Sequence, residues 1–234
     1  TMNKNFITIA VSLMLALATS VANAGSFNVG VTGAIAKVSA SGTETTGAGV
    51  SGTANTNSAS VENDNIPIGS FFAEYQSDFY GLTLGVEHIP GAADVSESIK
   101  RRNDVTTSVT GDETHNADAR LFSANAEVDN FQLVYIELPI YNQFFVGGGL
   151  SQMDVTTTEV ASGNGGTYGN KTLDGNMFRV GMKGAIADNM GYKLFYEQNN
   201  FDTLKLTSTG NSVAAETNSI SADLDVDMLK FALS

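Results

Sequence analysis

The chain has 234 residues, 12 of them basic and 25 acidic, with 2 histidines and no cysteine. A formal net charge of −13 excludes a nucleic-acid-binding protein, which needs a basic face. Without cysteine there is no disulfide staple, no thiolate metal site and no lipid-modified cysteine anchor.

The first element is an export signal. Asn3-Lys4-Asn5 is a short, weakly basic start, Phe6 to Leu17 is an apolar run, and Ala22-Asn23-Ala24 is a small-x-small cleavage site. The apolar run is too short to span a membrane as a helix, which takes about 20 residues. Residues 1–24 are therefore expected to be a cleaved signal peptide, and residues 25–234 a single domain. The signal contains Lys4 and no acid, so residues 25–234 carry 11 basic and 25 acidic residues, a net −14.

The first predicted strand is Phe27 to Ser39. Phe27, Val29, Val31, Gly33 and Ile35 share one face; Asn28, Gly30, Thr32, Ala34 and Ala36 share the other. Residues 40–65 are rich in Gly, Ser, Thr and Asn and show no periodicity. The second strand, Ile66 to Ser77, sets Phe71, Ala73 and Tyr75 against Ser70, Glu74 and Gln76. Ser77-Asp78-Phe79 is a tight turn. The third strand, Tyr80 to His88, alternates Tyr80, Leu82, Leu84 and Val86 with Gly81, Thr83, Gly85 and Glu87.

Residues 90–128 turn polar again, with weak alternation over 119–128. The fourth strand is Phe131 to Ile140, and Tyr141-Asn142-Gln143 is the turn after it. The fifth runs from Phe144 to about Val155 and is followed by a polar loop, 156–172. The sixth, Leu173 to Ala187, sets Phe178, Val180 and Met182 against Gly175, Arg179, Gly181 and Lys183. A turn at Asp188-Asn189-Met190-Gly191 leads to the seventh, Tyr192 to about Leu204, where Tyr192, Leu194 and Tyr196 oppose Lys193, Phe195 and Glu197. A loop near 206–218 precedes the eighth strand, which ends in Leu229, Phe231 and Leu233. Its earlier apolar residues, Ile220, Ala222, Leu224 and Val226, lie on the opposite parity, which predicts a β-bulge near Asp227 to Leu229.

Long loops follow the odd strands and short turns the even ones. That rhythm predicts an eight-stranded antiparallel transmembrane β-barrel with long extracellular loops and short periplasmic turns. Aromatics gather beside the short turns (Phe27, Tyr75, Tyr80, Tyr141, Phe144 and Tyr192), as in an interfacial girdle. The polar face mixes glycine with charge, which suits a narrow interior and not a water-facing surface. The expected location is the outer membrane of a Gram-negative bacterium, in contact with its lipid.

Gly30 to Ser39 (GVTGAIAKVS), Phe72-Ala73-Glu74-Tyr75, Tyr168-Gly169-Asn170-Lys171 and Ala222-Asp223-Leu224-Asp225-Val226 resemble segments of small outer-membrane β-barrel proteins of marine alphaproteobacteria. These are distant OmpA-like, porin-family barrels without a peptidoglycan-binding domain. The resemblance covers nearly all of residues 25–234 and implies a barrel inserted by the barrel-assembly machinery. Family members usually finish with an aromatic residue which that machinery reads; this chain finishes Phe231-Ala232-Leu233-Ser234. Its motifs are strand and loop segments and imply no chemistry.

By parity, Glu74, Glu87, Glu137, Arg179, Lys183, Lys193 and Glu197 point inward, joined by Lys230 if the bulge is present. In a bore of about eight strands, side chains nearly fill the interior and opposite charges are expected to pair. Paired, they would form either a static plug or a gate. Lys100-Arg101-Arg102 is the only basic cluster; on the second loop it is either a solvated patch or a contact for lipopolysaccharide phosphates. His88 and His115 are the only histidines. No nucleophile is set beside His88, so no catalytic site is expected. No cofactor or metal is implied. The chain is expected to be a monomer with a structural or surface-recognition role, its loops meeting lipopolysaccharide, other cells or phage. The alternative is a narrow porin-like channel.

Overall fold

The computed structural model describes residues 25–45, 56–78, 80–95, 100–105, 119–161, 167–209 and 217–234. The expected signal segment and His115 lie outside them. Ten strands form one antiparallel sheet. They are β1 Gly25–Thr45, β2 Thr56–Ser77, β3 Thr83–Asp94, β4 Lys100–Val105, β5 Ala119–Tyr141, β6 Phe144–Ala161, β7 Lys171–Ala187, β8 Met190–Phe201, β9 Leu204–Thr207 and β10 Ser219–Leu233. β1 pairs with β10 and closes the sheet into a ring of eight: β1, β2, β3, β5, β6, β7, β8 and β10. β4 lies beside the upper part of β5, and β9 beside the upper part of β10. Among the described residues there is no helix. The architecture is the eight-stranded antiparallel barrel that the strand rhythm predicts.

Most strands outrun their predicted ends, but β3 begins at Thr83, leaving Tyr80 and Gly81 in the turn, and β8 stops at Phe201, short of the predicted Leu204. β1, β2 and β5 have 21, 22 and 23 residues, about twice the 9–11 residues with which a tilted strand crosses a bilayer. Much of the stretch 40–65, which looks aperiodic in sequence, is ladder: Ser39 to Thr45 pairs with Glu62 to Thr56. Its small polar residues leave no hydropathy alternation to read, although threonine itself favours strands.

The polarity of the wall inverts along its height. Beside the short turns the outer face is apolar: Phe27, Val29, Val31 and Ile35 on β1, Ile136, Leu138 and Ile140 on β5, and Leu229, Phe231 and Leu233 on β10 are all exposed. Farther up, the inner face is apolar and the outer face polar. On β10, Leu224, Val226 and Met228 are buried inside, while Asp223, Asp225 and Asp227 alternate with them on the outside. The lower half is built for a bilayer, and the upper half like a water-soluble barrel.

This inversion corrects the bulge expected in β10. The ladder from Val31–Leu233 to Thr45–Ser219 runs without a register shift. The apolar residues change parity because the apolar phase changes sides, not because the strand skips a residue. Register shifts occur elsewhere, between Ala36 and Val38 opposite β2, and between Asp129 and Gln132 in β5. Asn65 and Asn130 stand there with φ of 59° and 49°, the left-handed conformation that asparagine tolerates better than most residues. The girdle is corrected at one residue: Phe27, Tyr80, Tyr141 and Phe144 are exposed, but Tyr75 is 9% exposed. Its ring lies over Gly25, where an added Cβ would come within 2.5 Å of the Tyr75 hydroxyl.

Candidate functional site

The lower lumen holds eight charged side chains from six strands. Glu74 comes from β2, Glu87 from β3, Glu137 from β5, Arg179 and Lys183 from β7, Lys193 and Glu197 from β8, and Lys230 from β10. Four are acids and four are bases. Seven of them are at most 8% exposed; Lys183 is more open, its side chain 21% exposed. An isolated charge in such a place would carry a large desolvation penalty, so each must be paired.

Arg179 is the hub. Its Nη1 donates to Glu137 Oε1 at 3.1 Å, and its Nη2 to Glu87 Oε2 at 3.2 Å and Glu197 Oε2 at 2.5 Å. The Lys230 ammonium lies 2.9 Å from both Glu87 Oε1 and Glu197 Oε1. Lys193 donates to Glu74 and, at 2.7 Å, to Glu137 Oε2. Lys183 donates to the Thr83 hydroxyl at 3.2 Å and lies 3.9 Å from Glu137. Neutral donors complete the acids: Ser70 to Glu87 at 2.5 Å, Tyr135 to Glu74 at 2.7 Å, and Asn199 to Glu197 at 3.1 Å. Every carboxylate thus meets at least two donors. These three residues were not among the sequence candidates; Tyr135 shares the inward parity of Glu137, and that is the signal that could have found it.

Rings and glycines shape the space around the charges. The Arg179 guanidinium carbon sits 3.7 Å from the Tyr135 ring centroid, close enough for a cation–π contact. Phe145 and Phe195 pack against one another at 6.1 Å, with the Lys183 and Lys193 ammonium groups 5.8 and 5.5 Å from the Phe145 ring and that of Lys230 5.8 Å from the Phe195 ring. Inward glycines make this possible. A Cβ on Gly147 would meet Arg179 Cγ at 2.9 Å, and one on Gly85 would meet the Tyr135 ring at 2.1 Å. Gly85→Ala is expected to lower stability by about 1–3 kcal/mol, the usual cost of overpacking a core. Urea unfolding in micelles measures it; an unchanged midpoint would mean that Tyr135 is free to move aside.

Above the charges lies a second, apolar layer. Phe131 and Phe201 meet edge to face at 5.4 Å. Leu133, Met153, Val155, Leu173, Met177 and Met228 pack around them, each no more than 4% exposed. The lumen is therefore filled twice over, first by ion pairs and then by hydrocarbon.

The other sequence candidates stand apart from this cluster. Lys100, Arg101 and Arg102 belong to β4, laddered to Ala124, Ser123 and Phe122 of β5, and not to a loop as expected; their side chains lie outside the described structure. His88 is on the outer parity of β3, paired with Phe71 of β2 and Gln132 of β5. Its Nδ1 is buried without a hydrogen-bond partner. Among the described residues no group of three His, Asp or Glu side chains is placed to hold a metal ion.

An apolar outer belt around a closed ring with a charged interior is the arrangement of a barrel that crosses a bilayer. The protein is an outer-membrane β-barrel of the Gram-negative type. No family model and no curated protein matches the chain. Several solved structures are similar in shape. The outer-membrane protein OprG from Pseudomonas aeruginosa aligns over 87% of this chain and 95% of its own, with 8% identity and a TM-score of 0.45. Ail, the attachment invasion locus protein of Yersinia pestis, aligns over 85% of this chain and 97% of its own, with 9% identity and a TM-score of 0.32. Neisserial surface protein A aligns over 82% and 95%, with 12% identity and a TM-score of 0.28. Values this low say nothing of role.

Proposed function

We propose that this barrel is a sealed anchor with a structural or surface-recognition role. The observation that carries this reading is the double closure of the lumen. An ion-paired layer in which each charge faces an opposite one needs no conduction to explain it. Packed hydrocarbon above it gives an ion no polar path. What the protein offers its surroundings is then the extension above the membrane: the upper parts of β1, β2, β5 and β6 and the loops they carry. Its polar, acidic outer face and the basic stretch Lys100-Arg101-Arg102 would meet lipopolysaccharide, another cell or phage. The barrel would act as a monomer once the assembly machinery has inserted it. We place it with the OmpA-like, porin-family barrels on the segments quoted above.

Single-channel recording across a planar bilayer tests this on the refolded residues 25–234. The expected result is a folded, inserted and silent protein. Discrete openings would favour the rival, a narrow channel for ions or small solutes, with Arg179 and Lys183 among its gating charges.

A further inference from the structure

One seam in the ring is unladdered. β2 and β3 pair from Gln76–Thr83 up to Phe71–His88, and the ladder stops there. Among the described residues, β2 above that rung is paired only with β1, and β3 as far as Asp94 only with β5, whose ladder skips from Ile89 to Ala92. Two strand edges therefore face each other without a ladder, β2 from Ser70 and β3 from Ile89. Near the top, the Asn63 side-chain amide reaches across to the Asp94 carbonyl at 2.7 Å.

Both free edges carry a proline. Pro67 pairs with Ile35 inside an intact β1–β2 ladder. Having no N–H to donate, it fits that ladder only with its nitrogen turned away from β1, toward the seam. Pro90 follows Ile89 at the start of the free stretch of β3. Pro67 thus takes from the seam a donor that hydrocarbon would leave unsatisfied, while Pro90 stands where the β3–β5 ladder itself breaks, between Ile89 and Ala92. The same loss makes these edges poor templates for an added strand.

The height of the seam identifies its neighbour. Phe71, on the last rung, faces outward and is 62% exposed. Pro67 stands level with Ile35, and Ile35 with Leu229, the uppermost exposed apolar residues of β1 and β10. The seam thus begins at the outer rim of the belt, where acyl chains of the outer leaflet lie. Behind it, Ile66, Ile68 and Ile89 pack into the apolar upper layer with Met153, Met177 and Met228. Methionine side chains are unbranched and yield readily to a guest. The floor is polar: Ser70 and Lys230 both bond Glu87 there.

We infer that the β2–β3 seam admits an acyl chain of an outer-leaflet lipid sideways into the apolar upper lumen. The charged layer stops the chain from going farther. This inference stands apart from the sealed-anchor reading, since sideways entry opens no path across the membrane.

The test uses the full chain in phosphatidylcholine vesicles containing a trace of the same lipid with a diazirine on its acyl tail. After irradiation, the labelled residues are mapped by mass spectrometry. Label is expected on inward residues, Ile68, Ile89 or Met177, as well as on outward Phe71. Ile68→Asp puts a charge in the mouth of the seam and is expected to cut inward labelling several-fold while Phe71 keeps its level. Label confined to outward residues in the parent protein would overturn the inference, as would inward labelling that Ile68→Asp leaves unchanged. If Ile68→Asp does not insert, the parent's labelling pattern decides alone.

Discussion

Arg179→Ala is expected to destabilise the barrel by about 3–5 kcal/mol, the cost of breaking a buried ion pair from one side. The substitution removes the group that meets Glu87, Glu137 and Glu197 at once. Lys230 still holds Glu87 and Glu197, and Lys193 and Lys183 still face Glu137, so each acid keeps at least one cation. Three carboxylates are nevertheless left around a hole where a guanidinium stood, and Tyr135 loses its cation–π partner. The midpoint of urea unfolding in micelles reads the effect. A shift below about 1 kcal/mol, the scale of a surface pair, would mean that water already reaches this cluster.

The same variant is expected to stay silent in a planar bilayer, because the apolar layer above it is untouched. Phe131→Ala works on that layer. It removes the edge-to-face partner of Phe201, and a Phe-to-Ala truncation in a packed core costs about 3–5 kcal/mol. Alone it is also expected to be silent, since the charged layer remains beneath. Conductance is expected only when both substitutions are combined. The decisive recording is Arg179→Ala by itself: discrete openings there would show that the apolar layer does not seal, and the sealed-anchor proposal would fall with it.

The barrel is legible in the sequence where a membrane imposes a pattern and illegible where it stops. Between Ile136 and Leu150, between Phe178 and Tyr196, and again from Leu229 to Leu233, an apolar outer face against lipid makes the period of two plain. The strand count and the short turns follow from it. Parity also carries the interior charges, since in a strand a residue's face is fixed by counting alone. Above the belt the same period continues with the faces exchanged. Read under one rule, Leu224 and Val226 look misplaced and seem to call for a bulge that the ladder lacks. Two of the register shifts, at Asn65 and Asn130, sit in polar stretches where no alternation exposes them. β1 and β2 beyond Ser39 and Glu62 are hidden for a related reason, because serine, threonine and alanine on both faces give no contrast. Parity could have placed Tyr135 inside with Glu137, but nothing local marks Ser70 or Asn199 out from other inward polar residues until their carboxylates are placed.

The ion pairs of the lower lumen join segments that are far apart along the chain. Arg179 and Glu87 are separated by 92 residues, Lys193 and Glu74 by 119, and Lys230 and Glu87 by 143. Glu74 and Glu87 sit on β2 and β3, while their cations arrive only with β7, β8 and β10. A half-assembled sheet in the bilayer would hold naked carboxylates against lipid, a state that costs several kcal/mol per charge. Lys230, on the last strand, delivers the final counter-charge in the step that zips β10 to β1. Ring closure and charge neutralisation are thus one event, and the arrangement acts as a latch: an incomplete barrel is penalised until its final strand is in place.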